Sequence, residues 1–237
     1  MNNPQAMDQT GPSRRVLLQS MLGLGLAGCG ASPTLDLVGR TLAGKPKTDS
    51  GYPLSVAQIR ALPYASLGAR FGGGGSVVMV LATYDGNDLH WVSADRAILV
   101  TRDGRLIQTV GLARDLRATQ YVAADPLQQI FRSGSTEAAP KVWRYIDMSN
   151  KDAFGVVVES RYSVLGAETI SILGTQHQTM RVRERIQVPS WRWSTDNMFW
   201  IDQQTGKIRR ARQQYCPEVA VIEYEILKPP AAATAPA

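Results

Sequence analysis

Ala97-Ile98-Leu99-Val100-Thr101-Arg102-Asp103-Gly104-Arg105-Leu106-Ile107-Gln108-Thr109-Val110 is two β-rich runs either side of a polar tetrapeptide. A central Asp-Gly between such runs is the strongest short-range signal for a tight hairpin, because both turn positions need a positive φ. The stretch therefore predicts antiparallel pairing of Ala97–Thr101 with Leu106–Val110.

The same grammar repeats on both sides. Ser76–Thr83 is a continuous apolar run of the kind found in buried strands. Asp85-Gly86-Asn87-Asp88 turns the chain into Leu89–Ser93. Downstream, Trp143–Asp147, Gly155–Val164, Glu168–Leu173 and Gln178–Val188 read as strands, with turns at Leu165-Gly166 and Gly174-Thr175. Trp191–Trp193, Met198–Ile201, Lys207–Tyr215 and Val219–Leu227 follow, and a further strand is expected near Ala118–Val122. Residues 132–140 read as a loop. About ten short strands at regular spacing predict a mainly β chain, an antiparallel barrel-like or sandwich domain. One short N-terminal helix precedes them. Ser55 and Gln58 form a capping box, Leu54 and Ile59 a hydrophobic staple, and Pro63 stops the helix near Leu62.

The N-terminus has a different logic. Ser13–Cys29 opens with Arg14 and Arg15, continues through the apolar run Val16–Leu26, and closes on Leu26-Ala27-Gly28-Cys29. A charged start, a short apolar middle and small residues at the end describe an export signal. The run falls short of the roughly 20 residues a spanning helix needs. The last four residues resemble the lipobox of bacterial lipoproteins, which implies that Cys29 becomes the mature N-terminus and carries lipid, palmitate included. Gly30, in place of the Asp of inner-membrane lipoproteins, implies the outer membrane, periplasmic side. Ser13–Leu18 also resembles a twin-arginine signal. Gln19 stands where that pattern prefers Lys, so ordinary secretion and twin-arginine export both stay open.

These features divide the chain into a signal peptide over 1–28, a lipidated N-terminus and flexible tether over 29–51, a β-rich domain over 52–228, and a disordered Pro/Ala tail over 229–237. With Cys29 acylated, Cys216 has no partner and is expected to be a small buried residue in a strand-like segment. The net charge of +6 comes mostly from arginine and is spread rather than clustered. It suits acidic glycans or anionic headgroups and gives no reason to expect nucleic acid.

No catalytic constellation emerges. His90 and His177 lie on different elements without neighbouring metal-ligand spacing. Gly72–Gly75 lacks the Lys-Ser/Thr of a phosphate loop, and no Gly-x-Ser-x-Gly elbow exists. Glu159, Glu168 and Glu184 fall on separate segments and read as solvent-facing. No cofactor or metal is expected. The most suggestive cluster is Arg181, Arg183 and Arg185, which share one strand face, followed by Trp191 and Trp193. One reading is a groove for an acidic polysaccharide, with tryptophans stacking on sugar rings and arginines holding carboxylates. The other places the tryptophans in the core and leaves the arginines as a solvated face.

Several segments together resemble the YjbF/GfcB family of lipoproteins. They are Leu62-Pro63-Tyr64-Ala65, Trp91-Val92-Ser93-Ala94-Asp95, Val100–Leu106, Asp125-Pro126-Leu127, Trp191-Arg192-Trp193, Asn197 with Phe199–Asp202, and Gly206-Lys207-Ile208-Arg209. The resemblance implies a β-rich, barrel-like domain and a periplasm-facing lipoprotein linked to capsule or exopolysaccharide production and export, without established catalytic residues. The expected function is thus a non-enzymatic accessory factor. Its expected partners are the membrane, through Cys29, and an acidic polysaccharide or exopolysaccharide export proteins. An envelope assembly factor and a carbohydrate-active enzyme are the alternatives.

Overall fold

The computed structural model describes residues 49–133, 141–149 and 153–230. The signal, Cys29, most of the tether and nearly all of the Pro/Ala tail lie outside them. The described chain is an up-and-down meander of twelve antiparallel strands. It comprises β1 Ser66–Phe71, β2 Ser76–Asp85, β3 Asp88–Val92, β4 Ile98–Arg102, β5 Arg105–Val110, β6 Leu116–Tyr121, β7 Val142–Met148, β8 Val156–Ile172, β9 Thr175–Val188, β10 Trp193–Asp202, β11 Ile208–Gln213 and β12 Ile222–Lys228. The spatial order is β5-β4-β3-β2-β1-β12-β11-β10-β9-β8-β7-β6, so sequence neighbours pair throughout except β5 and β6, which form the two ends, and β1 pairs with β12. The two ends of the sheet approach each other: the Leu116 amide donates to Thr109 Oγ1 at 2.9 Å, and Thr119 Oγ1 donates to the Ile107 carbonyl at 3.0 Å. The result is a nearly closed barrel, the first of the two forms, barrel-like or sandwich, that the turn spacing predicts.

Alternation sets what is inside. Leu67, Met79, Trp91, Leu99, Val182, Ile186, Phe199 and Ile222 line one continuous interior. The outward positions of β9–β12 are largely Arg, Glu, Gln and Asp, which is the reverse of a barrel with a lipid-facing wall. β2 shows why a strand can be apolar on both faces. Met79 points into the barrel, whereas Val78 and Val80 point out and are covered by helix α1 (Val56–Ala61) through Ile59, Leu54 and Leu62. The capping box of α1 is formed as expected: the Gln58 amide donates to Ser55 Oγ at 3.2 Å and the Ser55 amide donates to Gln58 Oε1 at 2.9 Å.

Four features differ from the sequence reading. First, Leu165-Gly166 is not a turn: β8 runs unbroken for 17 residues. Gly166, at φ 114°, absorbs a bulge between the pairs Val164↔Val182 and Gly166↔Arg181, so pairing with β9 continues. The chain reverses only at Leu173-Gly174, both at positive φ. Second, β10 is one strand through the polar stretch Ser194–Asn197, because every residue from Trp193 to Asp202 pairs with β9. Third, β1 is a strand that the sequence reading lacks: Leu67, Ala69 and Phe71 alternate toward the core, and Gly68 serves as a seat for the Tyr52 ring. Fourth, a second helix, α2 (Pro126–Ser133), packs Leu127 and Ile130 onto the core. Asp125 accepts the Leu127 amide at 3.0 Å and Pro126 occupies the first helical turn, a start signal present in the sequence. Cys216 is buried, as expected, although it sits in the β11–β12 connection rather than in a strand.

The opening hairpin is formed as predicted, and its turn reaches across the barrel. Gly104 adopts φ 84°, and a Cβ there would lie 2.5 Å from Ile208 Cβ on β11. Gly104→Ala is therefore expected to cost about 2 kcal/mol or more, from turn strain and overpacking together. Gly86→Ala, at another positive φ but in open space, should cost clearly less. Urea midpoints of the two variants provide the comparison.

Candidate functional site

Strand β9 carries two chemistries on alternate residues. Val182, Glu184, Ile186 and Val188 face the interior, and Arg181, Arg183 and Arg185 face out. The expected shared face of the three arginines is present on the outer wall formed by β7–β10.

Glu184 corrects the sequence reading. It is fully buried rather than solvent-facing. Its Oε2 accepts Arg105 Nη1 at 2.8 Å and Asn197 Nδ2 at 3.0 Å. Its Oε1 accepts Arg144 Nη1 at 2.6 Å, Tyr162 Oη at 2.7 Å and Ser160 Oγ at 2.9 Å. Arg105 in turn pairs with Asp125 at 2.6 Å and lies over the Phe199 ring at 4.7 Å. Strands β5, β7, β8, β9 and β10, with the start of α2, thus meet at one carboxylate. Burial alone would push the Glu184 carboxyl up. Arg105 and Arg144, helped by Asn197 and Tyr162, outweigh it and hold the group well below the usual carboxylate range. Burial works against the charge on Arg105 as well, and Asp125 and Glu184 overcome it. A carboxylate so firmly ionised does not donate protons at neutral pH, so this knot is a fastening rather than an acid–base pair.

On the outside, Arg181 pairs with Glu168 at 2.8 Å and Arg185 with Asp196 at 3.2 Å. Arg183 lies across from Ser163 and Met198. Trp191 and Trp193 are not on this wall. Trp191 belongs to a short 3-10 turn, Trp193 shares the inward phase of Asn197 and Phe199, and both pack against the core. The exposed aromatics of the outer wall are Trp143 and Tyr145 on β7, 45% and 42% exposed, and Trp200 on β10 shares that wall, half-buried beside Arg181 and Arg210. The signal for Trp143 and Tyr145 was in the sequence: in Val142–Met148 they occupy the phase opposite to Arg144, Ile146 and Met148.

Removing the central charge strands the buried Arg144 and leaves the buried Arg105 with Asp125 alone. Glu184→Gln is expected to destabilise the fold by about 3–5 kcal/mol in chemical denaturation. The Glu184 carboxyl is depressed in the folded state, so its contribution is complete above the unfolded glutamate value of about 4.3 and fades as pH falls below it. The wild-type denaturation midpoint should therefore drop on acidification below that value, and the Glu184→Gln midpoint should drop less steeply.

Comparison with known proteins agrees with this architecture. A family described as "YjbF: Group 4 capsule polysaccharide lipoprotein gfcB, YjbF" matches residues 39–227. The lipoprotein GfcB of Escherichia coli is 30% identical over 220 residues, covering 91% of this chain and 99% of the relative. The E. coli lipoprotein YjbF is 29% identical over 182 residues, covering 75% and 82%. The crystal structure of the E. coli hypothetical lipoprotein YmcC superposes with a TM-score of 0.66 at 30% identity, over 74% of this chain and 89% of that one. The match to this family across residues 39–227 and the 30% identity to GfcB over 91% of this chain show that this chain belongs to the YjbF/GfcB family of lipoproteins.

Proposed function

We propose that this protein is a lipid-anchored, periplasm-facing outer-membrane factor that assists production or export of an exopolysaccharide or capsule without catalysis of its own. The observation that carries the reading is the match of residues 39–227 to a family described by a capsule polysaccharide lipoprotein. The export-type run Ser13–Leu26 ahead of Leu26-Ala27-Gly28-Cys29 supports the anchor. Each buried methylene of an acyl chain adds about 0.8 kcal/mol of membrane affinity, so two or more chains on Cys29 hold the protein firmly.

The interior supports a role without chemistry. Glycoside hydrolysis needs two carboxyl groups facing a cleft, one of them protonated. Here Glu184 and Asp125 are both spent on Arg105, Glu184 in the closed interior. The outer wall supports contact with an anionic polymer, since Arg183 presents to solvent a charge without an ion pair among the described residues, between Arg181 and Arg185 in their surface pairs.

Mass spectrometry of the membrane fraction is expected to find a mature chain that begins at an acylated Cys29. Cys29→Ser should release the protein from the membrane; a variant still behaving as a lipoprotein would contradict the anchor. Deletion of the gene should reduce or misdirect surface exopolysaccharide while growth continues. Unchanged polysaccharide with loss of outer-membrane proteins would instead select an assembly role. Degradation of the polymer by the purified chain would select an enzyme.

A further inference from the structure

We infer that the outer wall of β7–β9 is a binding site for an acidic polysaccharide chain, whose sugar rings stack on Trp143 and Tyr145 while its anionic groups meet Arg161 and Arg183. The inference rests on the polysaccharide reading above and names the surface that would serve it.

Trp143 and Tyr145 alternate with buried residues on β7, so they stand on one face about 7 Å apart. Exposed aromatics of this size need a reason when they are held in place. Trp143 is held: Lys141 lies over its ring at 5.3 Å, and Glu159, directly across on β8, pairs with Lys141. A ring fixed in advance loses little freedom when a ligand stacks on it.

The charges beside the rings are arranged at a cost to the free protein. Arg161 on β8 stands directly opposite Arg185 on β9. Like charges in that position repel. Asp196 relieves Arg185. Among the described residues, Arg161 and Arg183 have no ion pair, and an anion bound between them would relieve both. The surroundings distinguish a sugar polymer from a bilayer. Gln120 lies across from Tyr145 on β6 and Glu159 across from Trp143 on β8, with Gln187 beyond it, where hydroxyl groups can meet them, while Val157, across from Tyr145, offers an exposed apolar contact to a ring face. Immersing the same carboxylate among lipid headgroups and acyl chains would be unfavourable.

The test uses the full chain purified in non-ionic detergent. Its binding to immobilised polygalacturonate, to the surface polysaccharide extracted from the producing cells, and to neutral dextran is measured at low and high salt. The wild type should bind the two acidic polymers and not dextran. Trp143→Ala combined with Tyr145→Ala should weaken that binding at least tenfold at either salt. Arg161→Gln combined with Arg183→Gln should weaken it at low salt, with the difference from wild type closing as salt rises. All four side chains project outward, so urea midpoints near wild type verify that the variants fold. Failure of the wild type to bind either acidic polymer, or variants that bind like wild type, would overturn the site. Loss of binding to phosphatidylglycerol vesicles in the Trp143/Tyr145 variant, with polymer binding unchanged, would assign the wall to the membrane instead. The broader reading fails separately: it falls if the gene deletion leaves surface polysaccharide unchanged. It survives, without this site, if the deletion alters the polymer and a chromosomal Trp143→Ala/Tyr145→Ala strain does not.

Discussion

The structure turns on one carboxylate. Glu184 lies inside a hydrophobic barrel, where an unpaired charge would be prohibitively costly. It is tolerated because Arg105 and Arg144 neutralise it and Asn197, Ser160 and Tyr162 use its remaining lone pairs. Such a knot is weak evidence for stability in itself, since a well-packed apolar core of the same volume can do as well. Its value is geometric. The five partners come from four strands, β5, β7, β8 and β10, and only one alignment of these with β9 satisfies all of them.

That constraint reaches the outer surface through the pleat. A slip of one residue in β9 would bring Arg183 or Arg185 inward and turn Glu184 out. Fixing Glu184 inside therefore fixes the arginines outside, opposite Arg161, Ser163 and the β10 side chains. The same holds on β7, where Arg144 points in and Trp143 and Tyr145 consequently point out. The interior charge network and the polar, aromatic outer wall are two faces of one registration.

Much of this was legible in the residues. The Asp103-Gly104 turn, the capping box at Ser55, the outward phase of Arg181, Arg183 and Arg185, the buried Cys216 and the family resemblance all rest on short-range patterns. The misread elements are those in which tertiary pairing overrode a local cue. Gly166 reads as a turn in isolation and becomes a bulge because β9 lies alongside. Ser194–Asn197 looks like a loop until Glu184 takes Asn197 and Arg185 takes Asp196. The knot itself could not be assembled from spacing, because positions 105, 144 and 184 are distant in the chain. A weaker signal was present: Glu184 interrupts the apolar phase Val182, Ile186, Val188, and Arg144 interrupts Val142, Ile146, Met148. A charge in the apolar phase of a strand asks for a buried partner.

The central claim is that Glu184 and its arginines act as a single fastening. A double-mutant cycle tests it most directly: urea unfolding of the full chain as wild type, Glu184→Gln, Arg105→Met and the double variant. The account predicts strong coupling, with the double variant losing clearly less stability than the two single losses added together, because removing both partners leaves one stranded arginine fewer. Additive losses would show that the two residues stabilise the barrel independently, and would contradict it.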